Sequence, residues 1–367
     1  MQKLKVGMIG CGKISSIYFQ NCKAYPVLEV AACADLNVAR ARASAEEHGV
    51  PKACSVSELL ADAEIDIVIN LTIPAAHAEV CLQALDAGKH VYVEKPLAVT
   101  REEGQAILAK AKEKCRLIGS APDTFLGGGI QTCIKLLDDG WIGTPVAASA
   151  FMIGRGHEHW HPDPEFYYAK GGGPMFDMGP YYLTALVAML GPIRRVTGST
   201  RISYPERTIT SQPKFGQTVK VETPTHVAGV MDFHSGVIGT ITTSFDAFGG
   251  AQVPRIEIYG SQGTLSVPDP NTFGGPIRIK RHDHRDWSEI PLMHGYTENS
   301  RGLGVLDMAY AVINGRANRA GGELAYHVLE AMHGFHDAAD EGKHYIMQSR
   351  CERPVPMPLG PVHGILD

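Results

Sequence analysis

A short apolar run near the start of the chain leads directly into a glycine turn, and this pair of features constrains the fold most. The run 4–9 has the composition of a buried strand, and Gly10-Cys11-Gly12-Lys13-Ile14-Ser15 follows at once. A strand, a G-x-G-x-x-small turn and a helix are typical of a dinucleotide-binding unit. Gly10 permits the tight turn, Gly12 lets a pyrophosphate approach the backbone, and Ser15 allows close helix–strand packing. The sequence therefore predicts a Rossmann-type sheet.

An acidic residue stands where such a unit contacts the ribose of its cofactor. Asp35 ends the second predicted strand, 28–34, at about the expected twenty-residue distance from the glycines. A carboxylate there can accept hydrogen bonds from both ribose hydroxyls of NAD, and it repels a 2′-phosphate. Because residues 36–39 include no arginine, the sequence predicts NAD rather than NADP. The predicted cofactor contacts are Gly10, Gly12, Lys13, Ile14, Asp35, Thr72, Pro74, Glu94 and Lys95.

Strand and helix patterns alternate up to about residue 122 and then change. The alternation predicts a doubly wound parallel sheet with right-handed crossovers. Longer strands follow, joined by hairpins, and two helices close the chain. We predict an α/β chain with a Rossmann domain, 1–122, and a substrate-binding and oligomerisation α+β domain, 123–367. The second domain is expected to contain a large, mostly antiparallel open sheet, whose uncovered face pairs subunits into a homodimer or homotetramer.

The composition argues against several classes of protein. With 367 residues, 44% of them hydrophobic and 20% charged, the chain is typical of a globular two-domain protein. A net charge of −5 without a basic block argues against nucleic acid or a membrane surface as partner. No apolar run reaches membrane-spanning length. Eight cysteines, none in a Cys-x-x-Cys pair and most within apolar runs, predict reduced thiols and a cytoplasmic protein.

A lysine followed by a proline marks the end of a predicted strand. The strand 90–93 leads into Glu94-Lys95-Pro96. Pro96 disfavours helical geometry at Lys95, so Lys95 is expected to be extended, beyond the edge of the sheet. Ligands of open α/β sheets bind beyond the carboxyl ends of the strands. We therefore predict that Lys95 is a functional side chain directed into the crevice and not a solvated surface charge.

Two further segments carry side chains suited to substrate binding or proton transfer. Three glycines, 171–173, precede Asp177 and Tyr181, which share one face if a helix has begun there. Upstream, histidines alternate at positions 157, 159 and 161, which on an extended strand would lie on one face. That arrangement suits zinc, but loops often carry histidine, and we predict no metal. His161 is predicted instead to bind substrate or to exchange a proton. Asp123 and Thr124, at the domain junction, are further candidate hydroxyl binders.

Taken together, these motifs resemble the Gfo/Idh/MocA family, the relatives of glucose–fructose oxidoreductase and inositol dehydrogenase. The resemblance rests on the fingerprint 10–15, Asp35, the segment 87–96 with its Glu-Lys-Pro, and the segments 140–143 and 258–264. It covers nearly the whole chain. It implies NAD(P)-dependent hydride transfer at a hydroxyl of a sugar, cyclitol or related polyol. It also implies that Lys95 lies beside the nicotinamide and the substrate.

One position departs from the family pattern. The family's second catalytic motif is typically Asp-x-Gly-x-x-x-His or Asp-x-Gly-x-His, whereas Tyr181 follows Asp177 and Gly179 here. A proton acceptor is still needed, because oxidation of an alcohol releases a proton with the hydride. Two candidates remain: Tyr181, if Lys95 lowers its pKa, and His161. Lys95, Asp177, Tyr181 and His161 are thus the predicted catalytic residues.

The leading functional hypothesis is an NAD-dependent dehydrogenase that oxidises a hydroxyl of a sugar, glycoside or cyclitol to a ketone. An alternative is a glycosidase that oxidises its substrate transiently, eliminates the aglycone and recycles bound NAD. A third is a non-catalytic, nucleotide-sensing regulator. A sensor need not retain both Lys95 and Asp177, so their presence together favours an enzyme.

Overall fold

A six-stranded parallel sheet occupies the first third of the chain in the computed structural model, which describes residues 3–360 and 363–367. Its strands are β1 (Leu4–Ile9), β2 (Leu28–Ala34), β3 (Lys52–Cys54), β4 (Ile67–Asn70), β5 (His90–Val93) and β6 (Ile118–Ser120). The helices between them are α1 (Ser15–Ala24), α2 (Val38–His48), α3 (Val56–Ala61), α4 (Pro74–Asp86) and α5 (Arg101–Glu113). The order β3-β2-β1-β4-β5-β6 is that of a doubly wound Rossmann sheet.

The strand order reverses between β1 and β4, which opens a crevice at the carboxyl edge of the sheet. The register pairs Ile9 with Asn70, and Asn70 with Val93, so these three strands end level with one another. The glycine turn after β1, the loop after β4 and the Glu94-Lys95-Pro96 segment after β5 therefore meet at one edge. This is the edge at which Lys95 was expected.

A nine-stranded sheet forms most of the remaining chain, in the order β16-β15-β14-β13-β7-β12-β11-β8-β17. All its pairings are antiparallel except that of β7 with β12. Its strands are β7 (Pro145–Ile153), β8 (Ile193–Arg201), β11 (His226–Phe233), β12 (Ile238–Ser244), β13 (Ile256–Gly260), β14 (Gly263–Val267), β15 (Ile277–Arg281), β16 (Ser288–Ile290) and β17 (Tyr345–Ile346). A separate hairpin pairs β9 (Glu206–Thr208) with β10 (Thr218–Lys220).

Two long helices cover one face of this sheet: α7 (Gly173–Leu190) packs on β11 and β12, and α9 (Gly322–Glu341) packs on β8. On the opposite face, Ser149, Tyr259 and Glu257 form a hydrogen-bonded row, with 2.9 Å between the Ser149 and Tyr259 hydroxyls and 2.9 Å from Tyr259 to Glu257. This polar row contrasts with the apolar side chains that the same strands direct toward the helices.

The two sheets are joined by α6 (Gly128–Asp138), which follows a 3-10 turn at Thr124–Leu126. The predicted domain boundary at residue 122 lies between β6 and that turn. The chain later returns to the first sheet, because α8 (Leu303–Asn314) packs against β6 and α1. In the described ranges, no helix is both long and apolar enough to cross a membrane.

Most predicted elements are confirmed, including the alternating strands and helices of the first domain and a hairpin between the long strands β11 and β12. The exceptions are the short strands β3, β9, β10, β16 and β17, and the five-residue β15, none of which was predicted. A strand of only two or three residues is too short to show an alternation of polar and apolar side chains in the sequence. Such strands form because a neighbouring strand offers hydrogen-bond partners.

Candidate active site

The glycine turn after β1 has the geometry of a pyrophosphate cradle. Gly10 adopts φ +100°, and a Cβ there would lie 2.7 Å from the carbonyl of Leu71, so only glycine fits. A Cβ at Gly12 would meet no protein atom within 4 Å, so the packing of the chain does not itself require glycine at this position. The open space lies before the N-terminus of α1, where backbone amides favour an anion. Both glycines therefore fit a dinucleotide.

Asp35 lies against this turn. Its carboxylate accepts hydrogen bonds from the backbone N–H groups of Cys11, at 2.9 Å, and Asn37, at 2.8 Å. These two bonds fix the carboxylate at the end of β2, where the ribose of a dinucleotide is expected. The guanidinium of Arg40 lies 3.6 Å from Asp35, with its side chain 55% exposed. Arg40 directly follows residues 36–39, whose lack of arginine was the basis for predicting NAD.

The loops after β4 and β5 are held together by a buried histidine. The two ring nitrogens of His77 lie 2.7 Å from the carbonyl oxygen of Pro96 and 3.0 Å from that of Thr72. His77 is in the first turn of α4, which begins at Pro74, and burial lowers its pKa. Both loops frame the crevice, so His77 fixes one relative to the other. The sequence analysis did not assign this role to His77.

Lys95 and Asp177 form an ion pair across the crevice. Lys95 Nζ donates to Asp177 Oδ1 at 2.9 Å and to the Asp177 carbonyl at 2.8 Å, and the side chains are 17% and 13% exposed. Burial alone would lower the pKa of Lys95, but the charge of Asp177 reverses this and raises it above its ordinary value. Burial alone would raise the pKa of Asp177, but Lys95 and His157 hold it well below its usual range. The pair is therefore ammonium and carboxylate at neutral pH.

The second oxygen of Asp177 is bound by His157. His157 Nε2 lies 2.7 Å from Asp177 Oδ2, and the indole N–H of Trp160 donates to His157 Nδ1 at 3.1 Å. Because Nδ1 accepts, Nε2 carries the proton and donates to Asp177. Both nitrogens are thus engaged, and His157 fixes the orientation of the carboxylate.

Tyr181 lies one helical turn beyond Asp177, as predicted, and its ring centroid is 5.3 Å from Lys95 Nζ. Its hydroxyl lies beside the guanidinium of Arg301, and the two groups interact. Burial raises the pKa of Tyr181, although the positive charges of Lys95 and Arg301 oppose this. Lys95 thus acts on this pKa in the direction that a base at Tyr181 needs, but burial of the phenol outweighs the cations and the net shift is upward.

His161 lies farther out on the same loop. Its Nδ1 accepts a hydrogen bond from the backbone N–H of Asp163 at 3.0 Å, so Nε2 carries the proton in the neutral ring. Its ring contacts Trp160 and Phe166 edge-on. Burial lowers the pKa of His161 below its ordinary value. In this arrangement His161 offers a donor and no free lone pair.

The histidine segment is not an extended strand, contrary to the expectation, because His157–His159 form a 3-10 turn. The three rings therefore do not share one strand face. His159 bonds the Gly156 carbonyl instead, through Nδ1 at 2.5 Å. Among residues 3–360 and 363–367, no group of three or more histidine, cysteine or acidic side chains has a geometry that could hold a metal ion.

Asp123 and Thr124 are buried, at 1% and 2% exposure. Asp123 Oδ2 accepts the backbone N–H groups of Gly302, at 2.8 Å, and Gly304, at 3.0 Å, at the start of α8. Burial raises the pKa of Asp123 to about 6, against these two bonds. The carboxylate thus caps a helix that ties the second domain to the first, and it does not line the crevice with Lys95.

Glu94 links the Lys95 segment to the cofactor turn. Its carboxylate accepts from the Tyr18 hydroxyl, on α1, at 2.8 Å, and from the backbone N–H of Lys95 at 2.9 Å. Of the predicted residues, the fold therefore brings together Glu94, Lys95, Asp177 and Tyr181. His157 was singled out in the sequence only as a member of a doubtful metal set. Its pairing with Asp177 depends on a turn that no sequence pattern announces.

Two family models match the chain. The oxidoreductase family GFO/IDH/MocA, described by its NAD-binding Rossmann fold, matches residues 4–120. The GFO/IDH/MocA C-terminal domain matches residues 130–266. Together these matches extend over well more than half of the chain.

Similar proteins include a levoglucosan dehydrogenase of Pseudarthrobacter phenanthrenivorans, 26% identical over 292 residues that cover 72% of this chain and 73% of the relative. A myo-inositol 2-dehydrogenase of Thermotoga maritima is 24% identical over 263 residues, 71% of this chain and 74% of that protein. Among solved structures, a levoglucosan dehydrogenase in complex with NADH and L-sorbose superposes with a TM-score of 0.82 at 20% identity, and the match covers 95% of this chain and 100% of the other. At this identity the structural match shows a shared fold.

Proposed function

Because the chain belongs to the GFO/IDH/MocA family of NAD-binding oxidoreductases, we propose that it oxidises one hydroxyl of a sugar, glycoside or cyclitol to a ketone. The observation that carries the proposal is the Lys95–Asp177 ion pair, placed at the carboxyl edge of the sheet beside the cofactor turn. The relatives named for levoglucosan and myo-inositol support this substrate class.

The residues that fit the cofactor are Gly10, Gly12, Asp35 and the loop at Thr72, together with Glu94. NAD supplies the hydride acceptor when it is bound. The residues of the chain have two tasks: to hold the hydroxyl-bearing carbon near the nicotinamide, and to accept or donate the proton. Lys95 is suited to the first task, because two of its three ammonium hydrogens bind Asp177 and the third remains for the substrate oxygen.

The proton acceptor in this proposal is Tyr181. His157 and His161 each use the lone pair of Nδ1 and hold the proton on Nε2, whereas the Tyr181 oxygen lies beside the cations Lys95 and Arg301, which favour its ionised form. In oxidation, the hydroxyl proton passes to the Tyr181 phenolate while Lys95 stabilises the developing alkoxide. In reduction, the Tyr181 phenol returns the proton. His157 acts as a positioning residue, through the carboxylate of Asp177.

The proposal is tested by following NADH formation with a panel of sugars, glycosides and cyclitols. Absorbance that rises with at least one compound, and stays flat without it, is the expected result. A glycosidase that recycles NAD would instead release aglycone without accumulating NADH, which product analysis detects. No reaction of either kind with any member of the panel would overturn the proposal.

We expect NADH to bind more tightly than NADPH, because the Asp35 carboxylate repels a 2′-phosphate. Asp35→Ala should reduce the difference between the affinities for NADH and NADPH. The reduction should exceed the effect of removing the negative charge, because Arg40 is then free to bind the 2′-phosphate. The Asp35→Ala/Arg40→Ala double variant is the matched control and should lose that additional gain. Fluorescence titration measures all the affinities. Equal affinities of the unmutated protein for the two cofactors would contradict the prediction.

We also propose that the uncovered face of the nine-stranded sheet pairs two copies. The row of Ser149, Glu257 and Tyr259 offers hydrogen-bonding side chains that two sheets could bring into contact. Light scattering at micromolar concentration should give at least twice the 39.6 kDa chain mass. Ser149→Arg places a cation at the centre of the face and should reduce the mass to that of one chain. A monomer before mutation refutes the idea.

The proposed cellular location of the protein is the cytoplasm. All eight cysteines are free and seven of them are buried, and Cys115 is exposed. Reduced thiols in this number are typical of a reducing compartment.

A further inference from the structure

Five aromatic rings form a continuous cluster on the segment that carries His157. Their centroids are separated by 5.3 Å from His157 to Trp160, 5.2 Å from Trp160 to His161, 5.4 Å from His161 to Phe166 and 4.0 Å from Phe166 to Tyr167, and Tyr167 returns to His157 at 4.1 Å. We call these five residues the aromatic cluster. Two of its members are strongly exposed: Trp160 at 47% and Phe166 at 50%. Exposed large aromatic rings that lie together mark a contact surface more often than single ones do.

The cluster is held on a rigid base. The carboxylate of Glu158 pairs with Arg207 at 2.8 Å, and these side chains are only 4% and 2% exposed. Arg207 also bonds Asp246 at 2.7 Å. The backbone N–H groups of Thr210 and Ser211 donate to the Glu158 carbonyl at 2.8 and 3.1 Å. A buried ion pair with full hydrogen bonding fixes geometry even where it adds little net stability. The exposed rings therefore project from a fixed position.

One end of the cluster is continuous with the reacting groups. His157 bonds Asp177, which bonds Lys95, so the substrate hydroxyl lies at that end. Trp160, next to His157, and Phe166, across the cluster from His157, are the members exposed to solvent. A single sugar ring that presents its hydroxyl to Lys95 would lie on the His157 side and would leave the exposed faces of Trp160 and Phe166 for a further group.

Polar groups flank the outer end. His161 Nε2 carries a proton and has no hydrogen-bond partner among the described residues. The ammonium of Lys13, in the cofactor turn, lies 5.3 Å from the centroid of Trp160, so this ring borders the cofactor cradle. An exposed aromatic face beside an uncommitted donor, here His161 Nε2, suits a sugar ring, whose C–H groups stack on the aromatic face while its hydroxyls accept hydrogen bonds.

We propose that the aromatic cluster forms a second subsite, which binds a second sugar ring joined by a glycosidic bond to the ring that is oxidised. The substrate class is then a two-ring glycoside, such as a disaccharide, and not a free monosaccharide or a cyclitol. This inference rests on the proposed function and names the substrate class of the same site. Phe166 and Trp160 stack on the second ring, and His161 donates to one of its hydroxyls.

The test compares disaccharides of glucose, galactose and mannose with the free sugars, by NADH formation. The unmutated enzyme should show a kcat/KM at least roughly tenfold higher for one or more disaccharides. Phe166→Ala should raise KM for that disaccharide by about three- to tenfold, the range expected for loss of one stacked ring. Its kcat and its KM for the free sugar should stay within about twofold. Phe166→Leu keeps the apolar bulk and should resemble Phe166→Ala if stacking matters.

Trp287→Ala is the matched control, because Trp287 is 42% exposed on a different loop and should change neither KM. Calorimetric titration of the NADH complex with the same disaccharide should show the same loss of affinity in Phe166→Ala. Free sugars that react as well as every disaccharide would overturn the subsite and leave the proposed function intact. A weakened NADH affinity in Phe166→Ala would assign the ring to the cofactor instead, which also overturns it. A chain that forms no NADH with any compound fails the proposed function, and the subsite fails with it.

Discussion

Lys95→Ala is expected to abolish NADH formation, with kcat/KM reduced by at least about a thousandfold, while NADH affinity changes by no more than a few-fold. The ammonium of Lys95 is the only cation bonded to Asp177 among the described residues, and it is the proposed donor to the substrate oxygen. A preorganised donor at a developing alkoxide is worth about a hundred- to a thousandfold in rate. Loss of the charge also makes Tyr181 harder to ionise, since Lys95 opposes the effect of burial on its pKa.

The cofactor contacts at Gly10, Gly12 and Asp35 do not involve Lys95, which is why NADH binding should survive. The variant leaves Asp177 without its cation, and removal of one partner of a buried ion pair costs about 3–5 kcal/mol in stability. The thermal unfolding midpoint of the variant must therefore be measured as well, and its activity must be assayed at a temperature below that lowered midpoint. Lys110→Ala, which removes a surface ion pair, is the matched control and should keep full turnover. Turnover by Lys95→Ala within tenfold of the unmutated enzyme would contradict the assignment.

Tyr181→Phe is expected to reduce kcat/KM for oxidation by about a hundred- to ten-thousandfold, the usual contribution of a positioned base. The substitution removes only a hydroxyl, which interacts with Arg301, and the ring beside Lys95 is retained. The effect on folding should therefore be small. Stopped-flow and steady-state NADH formation measure the effect.

The pH dependence of the oxidation and reduction rates tests the assignment of Tyr181 as the base independently. Burial raises the pKa of Tyr181 above its ordinary value, so the phenol is protonated at neutral pH. Oxidation requires the phenolate, and its rate should rise by roughly tenfold per pH unit above neutrality, since one proton must leave. Reduction uses the phenol and should show no such rise. Tyr181→Phe should lose the slope of the oxidation profile.

The two histidines provide the controls for Tyr181. His157→Gln keeps an N–H donor for Asp177, so its turnover should fall by much less than that of Tyr181→Phe. His161→Ala should retain kcat with a free sugar. If Tyr181→Phe keeps near-normal turnover while His161→Ala loses it, His161 is the base. If His157→Gln alone loses it, His157 is more than a positioning residue.

The sequence by itself predicted the first half of the candidate site. A strand that leads into Gly10-x-Gly12, an acidic residue after the second strand, and Lys95 before a proline are local patterns, because each depends on neighbours within a few residues. The carboxyl ends of parallel strands must meet at one edge of the sheet, so these patterns also fixed their relative place. The parallel order of β1, β4 and β5 adds only the exact register to this.

Only the tertiary structure decided how the second domain completes the site. The distance from Asp177 to Lys95 spans 82 positions of sequence, and the pairing with His157 depends on a 3-10 turn anchored by the buried Glu158–Arg207 pair. Arg207 lies on β9, a three-residue strand with no pattern of its own. The net direction of the Tyr181 pKa shift also depends on packing, because the sequence offers a nearby cation but does not show how deeply the phenol is buried. Long-range packing sets both which side chains meet and how strongly each is desolvated, and it is encoded in the whole chain and not in any one segment.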